Sequence, residues 1–361
     1  MPSAQATPEE HTAPDSVCLL RLSALGDISH VLPVVRTLQQ HWPQTKLTWI
    51  IGKTEYQLVK DITGIEFIIF DKSQGFSAYL NLRNQLRNKT FAVLLHMQLS
   101  LRASVASLFI PAKIKLGFDR ARAKDMQAFF CNAHINPTST RQHVVDSFLE
   151  FPRHFGLTPV LEWGLPVAAD AIESIRKKLP EEKQLLVINP CAIAKARNWR
   201  NWTAAGYAAV ADYAQQQHGM QVVLSGGPGA IEKETAKEIL ARCHTSPLNL
   251  VGQTTLAELV ALLKLADVVI APDTGPVHIA SALGTRTLGL YATTNPQRAG
   301  PYNFLDYVVN RYPQALAQYY QLDVNTAPWG KRVKTAEAMS LISVEAVIEK
   351  LEQLLALTAS D

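Results

Sequence analysis

Cysteine is scarce and scattered. The four thiols, Cys18, Cys131, Cys191 and Cys243, stand too far apart for metal-type spacing, and a reducing compartment fits them better than a disulfide framework. None of the ten His joins them in a zinc pattern, so no metal is expected. No run of about twenty apolar residues exists, so no segment is expected to span a membrane. Met1 to Ser16 is polar, with Pro and Ala but no apolar core, and does not read as a secretory signal. P-loop, G-x-S-x-G and G-x-G-x-x-G patterns are missing, which removes P-loop ATPases, serine hydrolases and nicotinamide dehydrogenases. The net charge of +4 is too small to demand a nucleic acid. These exclusions leave a cytoplasmic protein, able at most to touch a membrane surface.

What is present is globular: 47% hydrophobic and 18% charged residues over 361 positions, a length that calls for two domains. Short apolar runs alternate with segments of helical periodicity, as in a parallel sheet flanked by helices. Val17–Arg21 is the first predicted strand, with a helix expected from Val34 to Gln40. Gly156-Leu-Thr-Pro and Trp163-Gly-Leu-Pro mark a boundary, after which the pattern restarts at Gln184. The expected organisation is a leader at 1–16, a first Rossmann-like domain at 17–160, a linker at 161–184, a second Rossmann-like domain at 185–335 and a closing segment at 336–361. The fold class is α/β, two Rossmann-like domains facing each other across a cleft, with ligands at the carboxyl ends of the strands.

Three stretches can carry chemistry. Val268 to Ala271 reads as a buried strand that breaks at Asp273-Thr-Gly-Pro and enters a helix at Val277. Such a corner either offers backbone N–H groups and a helix dipole to a phosphate, or is an ordinary capped turn. His278, one turn into that helix, is either a core or cap residue or a second phosphate contact. Ser225-Gly-Gly-Pro-Gly229 is a strand-to-helix turn whose glycines, Gly226 and Gly227 among them, let backbone approach a ligand. Glu232 follows on the next helical turn, where a carboxylate can grip ribose hydroxyls. Between these, Lys195, Arg197 and Arg200 interleave with Trp199 and Trp202 beyond a strand end. Cations there can neutralise a departing diphosphate while the tryptophans pack on the following helix.

In the first half, Gly26-Asp27 sits beyond the first strand. Asp27 is either a general base or the cap of the helix starting at Ile28, and the residues alone leave both open. Basic residues gather at Arg83 and Arg87–Lys89, and again through Lys113, Lys115, Arg120, Arg122 and Lys124. Each is either a solvated surface charge or part of a face for something acidic, such as a phosphorylated lipid head group.

Taken together, Arg21-Leu-Ser-Ala-Leu-Gly-Asp-Ile-Ser-His-Val-Leu-Pro33, Asn198-Trp199 with its preceding cations, Ser225–Gly229 with Glu232, and Asp273-Thr-Gly-Pro-Val-His278 resemble the lipopolysaccharide heptosyltransferases, glycosyltransferase family 9. The resemblance runs in register from Val17 to about Asn303. It implies a GT-B fold and inverting transfer of a heptose from ADP-L-glycero-D-manno-heptose to the Kdo/heptose inner core, with no cofactor and no metal set. It implies that Asp27 is the catalytic base. It further implies that Asp273, Thr274, Gly275 and His278 meet the donor diphosphate, and that Glu232 meets the ribose. The family has a lysine two residues before the tryptophan of the basic loop; here that position is Arg197, with Lys195 two residues further back. Ser23, Gly26, Arg120, Arg122 and Lys124 are the expected acceptor contacts, the acceptor being a phosphorylated lipid A–Kdo at the inner membrane surface. The last helix, Ser343–Leu355, is expected to pack back on the first domain.

Overall fold

Strand–helix alternation on the page of the sequence becomes two copies of one topology. The structure is a computed structural model that describes residues 13–137, 141–180, 183–192 and 198–357. In the first half the chain runs β1 (Ser16–Leu20), α1 (Leu25–His41), β2 (Lys46–Gly52), α2 (Lys53–Val59), β3 (Ile65–Phe70), α3 (Ser77–Gln85) and β4 (Phe91–His96). It continues through α4 (Leu101–Ser107), β5 (Ala112–Gly117), β6 (Ala133–His134) and α5 (Val144–His154). The second half runs α6 (Ala169–Arg176), β7 (Leu185–Ile188), α7 (Ala204–His218), β8 (Gln221–Leu224), α8 (Ala230–Leu240), β9 (Leu248–Asn249) and α9 (Leu256–Leu265). Then come β10 (Val268–Pro272), α10 (Gly275–Ala282), β11 (Arg286–Tyr291), α11 (Pro296–Ala299), β12 (Val309–Asn310), α12 (Tyr312–Tyr320) and α13 (Val344–Ala356).

Every strand pairing is parallel. One sheet has the order β3-β2-β1-β4-β5-β6 and the other β9-β8-β7-β10-β11-β12. Both therefore reverse direction of build at their middle pair, β1/β4 and β7/β10. In open α/β sheets that reversal opens a crevice beyond the strands' carboxyl ends. The strands are fully apolar where two helical layers cover them, as in Val268–Pro272, which is buried throughout.

The chain divides into one unit of residues up to Thr140 with Val145–Trp163, and a second of Arg141–Val144 with Gly164 onward. Two expectations change. The 161–184 stretch is not a bare linker. Ala171 and Ile175 of α6 are buried at helical spacing, α6 packs on α9, and Ser174 Oγ and Lys178 Nζ both donate to Glu258 at 2.7 and 2.8 Å. The last helix, α13, packs within the second unit rather than on the first. Its Val347, Leu351 and Leu354 join the core built by α7 and β11, and Ser343 caps it by accepting from Ala346 N–H. Its apolar stripe is visible in the sequence; which sheet it covers is decided by packing alone.

A third change concerns α1. It begins at Leu25 and runs through Pro33, rather than starting beyond it. A helix-interior proline forfeits one backbone hydrogen bond, and eleven buried residues along α1 outweigh that loss.

Candidate functional site

In the first unit, β1 ends at the reversal point and Arg21 follows it, 9% exposed. A buried guanidinium needs partners. Arg21 Nη2 lies 2.5 Å from Asp27 Oδ2, Nη1 donates to Met97 O at 2.7 Å beyond β4, and the group sits 5.1 Å from the Phe148 ring centroid. Gln98 clamps the intervening loop: its Oε1 accepts from Leu22 N–H at 2.5 Å and Ser23 N–H at 3.3 Å, and its Nε2 donates to Ser23 Oγ. Gly26 and Asp27 lie in the first turn of α1, where an acidic residue suits the helix dipole. Asp27 also accepts from Ala24 N–H at 3.3 Å, so a capping contact is real. Its side chain is nonetheless 36% exposed, within reach of a ligand.

The expected acceptor contacts do not share one environment. Ser23 and Gly26 flank Asp27. Arg120 and Lys124 are exposed on the loop after β5. Arg122 is committed inside its own unit: it pairs with Asp119, reaches Glu150 at 2.5 Å and lies over Phe118.

In the second unit, β7 ends at Ile188, and the next residue, Asn189, donates its backbone N–H to Ile270 O of β10 and its Nδ2 to Ser225 O beyond β8. Backbone and side chain of one residue thus tie together the ends of three strands. The glycine turn follows β8, and Glu232 folds back onto it, Oε1 accepting from Gly227 N–H at 2.7 Å. A Cβ on Gly227 would lie 3.0 Å from that carboxylate, which would have to move aside to admit it.

Lys195 and Arg197 lie outside the described residues. The ends of their loop are pinned by asparagines. Asn198 Nδ2 donates to Ala192 O and to Asn201 Oδ1, and Asn201 Oδ1 also accepts from Ala192 N–H. Trp202 is structural, donating to Ile342 O and packing edge-on against Tyr207 of α7.

The β10–α10 corner gathers Asp273, Thr274, Gly275 and His278, all but Gly275 under 10% exposed. Arg200 Nη1 donates to Asp273 O at 2.7 Å and stands 3.6 Å from Oδ2, while His278 Nε2 is 3.4 Å from Oδ1. Burial opposes the charged form of Asp273. The His278 and Arg200 contacts outweigh it and hold the carboxyl below its ordinary range. Thr274 is the N-cap of α10, yet its side chain makes no cap hydrogen bond. A carboxylate repels a phosphate. Asp273 is therefore suited to hold Arg200 and His278 in place, leaving the helix terminus and those two groups to meet an anion.

Sequence reasoning named Arg200 within the basic loop without singling it out; its pairing with Asp273 spans 73 residues. It missed Arg21, Gln98 and Asn189. The one available signal was Arg21, a cation directly after an apolar strand. Among the described residues no group of three or more His, Cys, Asp or Glu is placed to hold a metal.

Residues 79–327, well over half the chain, match the family model described as glycosyltransferase family 9 (heptosyltransferase). The lipopolysaccharide core heptosyltransferase OpsX of Haemophilus influenzae is 41% identical over 345 residues, covering 95% of this chain and 97% of that protein. Among solved structures, a family 9 glycosyl transferase from Veillonella parvula superposes with a TM-score of 0.77 at 20% identity, covering 97% of this chain and 99% of that one. The E. coli ADP-heptose lps heptosyltransferase II does so with a TM-score of 0.72 at 20% identity, covering 96% and 100%.

Proposed function

From a chain that belongs to glycosyltransferase family 9, the heptosyltransferases, and is therefore a glycosyltransferase of GT-B fold, we propose the following reaction. The enzyme moves a heptose from ADP-L-glycero-D-manno-heptose to the Kdo/heptose inner core of lipopolysaccharide, with inversion and at the cytoplasmic face of the inner membrane. The observation that carries it is the β10–α10 corner, where a helix terminus without a side-chain cap stands beside Arg200 and His278, both held by Asp273.

Asp27 takes the proton of the acceptor hydroxyl as its oxygen forms a bond to the anomeric carbon on the face opposite ADP. The glycosidic bond to the diphosphate breaks, and its electron pair leaves with ADP. Charge developing on that diphosphate is met by the α10 terminus, Arg200 and His278, with Lys195 and Arg197 as further cations. Glu232 and the Gly226–Gly227 turn receive the ribose. Arg21 orients Asp27. The reaction so written uses no metal and no cofactor, so turnover is expected to persist in EDTA.

The donor assignment is supported by what the relatives are: the 41% identical protein is a lipopolysaccharide core heptosyltransferase, and one similar fold is an ADP-heptose enzyme. The test is product analysis. With ADP-heptose and a deacylated inner-core acceptor, one heptose should be added per ADP released, with anomeric configuration opposite to the donor's. A melting temperature raised by a UDP-sugar but not by ADP-heptose would overturn the donor.

A further inference from the structure

The first unit carries a surface that its own core does not explain. From Lys72 to Phe130 the chain has ten Lys and Arg against two Asp and no Glu, while its total excess is only +4; Lys89 pairs with Glu66 and Arg122 with Asp119 and Glu150, and Arg83, Arg87, Arg102, Arg120 and Lys124 are exposed. The same stretch holds most of the large apolar side chains left exposed, led by Phe129 at 83%, Phe76 at 70%, Met126 at 62% and Leu108 at 61%.

Helical spacing shows that this is one face. On α3, Ala78, Leu82 and Leu86 point into the core at i, i+4 and i+8, and Phe76, Leu80 and Arg83 recur at i, i+4 and i+7 on the exposed side. On α4, Ala103, Ala106 and Ile110 enter the same core, leaving Leu101, Arg102 and Leu108 exposed. Both helices therefore cover one side of the sheet, and Tyr79 and Phe109 join them with ring centroids 5.9 Å apart. A short 3-10 turn, Gln127–Phe130, packs on α4 and adds Phe129 to that side. This layer presents Phe76, Leu80, Leu101 and Leu108 beside Arg83, Arg87 and Arg102, with Asn81, Asn84 and Gln85 between them.

We propose that the outer face of α3, α4 and the Gln127–Phe130 turn is a docking surface for an anionic lipid bilayer. Leucine and phenylalanine side chains enter the headgroup boundary and the cations lie at the level of the phosphates. Cations beside exposed apolar side chains complement a layer of phosphate head groups over acyl chains. No helix among the described residues is long and apolar enough to cross a membrane, so this surface supplies the attachment. The proposal rests on the lipid-linked acceptor proposed above, since such an acceptor reaches the enzyme only at a bilayer.

The test is vesicle flotation of the full-length protein. Vesicles of phosphatidylglycerol and phosphatidylethanolamine should carry it, phosphatidylcholine vesicles should not, and 0.5 M salt should release it. Arg83→Glu/Arg87→Glu should lower partitioning more than tenfold, at about fivefold for each cation lost and more for reversal. Leu108→Gln/Phe129→Ser should lower it at least tenfold. Both variants should keep their melting temperature and their turnover on a water-soluble, deacylated acceptor. Equal binding to both vesicle types, or none to either, overturns the docking surface. So does self-association of the parent protein abolished by the same variants, which would make the face a contact between copies. Vesicle binding without any heptose transfer would instead sink the functional reading and leave the surface standing.

Discussion

Replacing Asp27 by Asn tests the proposed chemistry with little disturbance of structure. The amide keeps the side chain's shape and can still accept from Ala24 N–H, now 3.3 Å away, so the start of α1 survives. The charge opposite Arg21 Nη2 at 2.5 Å is lost, but Arg21 keeps Met97 O and the Phe148 ring. With Asp27 36% exposed, the lost pair is worth about 1 kcal/mol of stability. That corresponds to a melting shift of about 2–4 °C or less. Catalysis loses far more. An amide cannot take the acceptor proton, and removal of a general base costs about 10²–10⁴ in rate, roughly 3–5 kcal/mol of barrier. The assay is steady-state ADP release with saturating donor and deacylated acceptor, with donor affinity measured separately by calorimetry. kcat should fall at least hundredfold while donor Kd stays within twofold. A kcat within a few-fold of the parent, or a loss that lies in donor affinity instead, would refute the base assignment.

Other outcomes follow from the same coordinates. Arg200→Met removes the cation that Asp273 holds, and ADP affinity should fall by about 2 kcal/mol, roughly thirtyfold, by calorimetry; an unchanged Kd would remove Arg200 from the donor site. A Cβ on Gly52 would lie 2.3 Å from Leu22 O, a backbone atom that cannot yield, so Gly52→Ala should cost about 2 kcal/mol and lower kcat by shifting the loop that carries Asp27. Glu258 is held at a pKa of about 2 by Lys178, by Thr255 N–H and by Ser174. Its folded value lies below the unfolded one, so its contribution is complete above about pH 5 and is lost as pH falls toward 2. Discounted for solvent screening, Glu258→Gln should cost about 1–2 kcal/mol at pH 7 in urea melts, and that gap should close in acid. Burial, first of all, pushes His96 down to about 4 and His143 to about 3. Both stay neutral when folded while unfolded imidazoles protonate near 6.5, so stability should fall as pH drops below that value, by about 2 kcal/mol each by pH 5. Their imidazole C–H resonances should not titrate above pH 5.

Local structure was legible wherever periodicity and capping agreed. The apolar runs Phe91–His96 and Gln221–Leu224 are strands with just those ends, the periodic Leu256–Leu265 is a helix, and Thr203, a hydroxyl residue ahead of a helical run, caps α7 by accepting from Gly206 N–H. The misses have physical causes. β6 and β12 are two residues each, nearly unreadable as periods, and owe their existence to a neighbouring strand. Pro33 argued against a helix through it, yet burial on α1 overrode a local preference.

By itself the sequence determined the elements, their parallel order and the two glycine-and-aspartate corners, because strand and helix periods, caps and turns are set by neighbours a few residues apart. Tertiary structure decided which distant groups meet: Arg21 with Asp27 and Met97, Arg200 with Asp273, Asn189 across three strand ends, α13 on the second sheet. Such pairings follow from sheet order, which brings strand ends together across tens of residues. A buried charge declares in the sequence that it needs a partner, but only the packed chain says which one it finds.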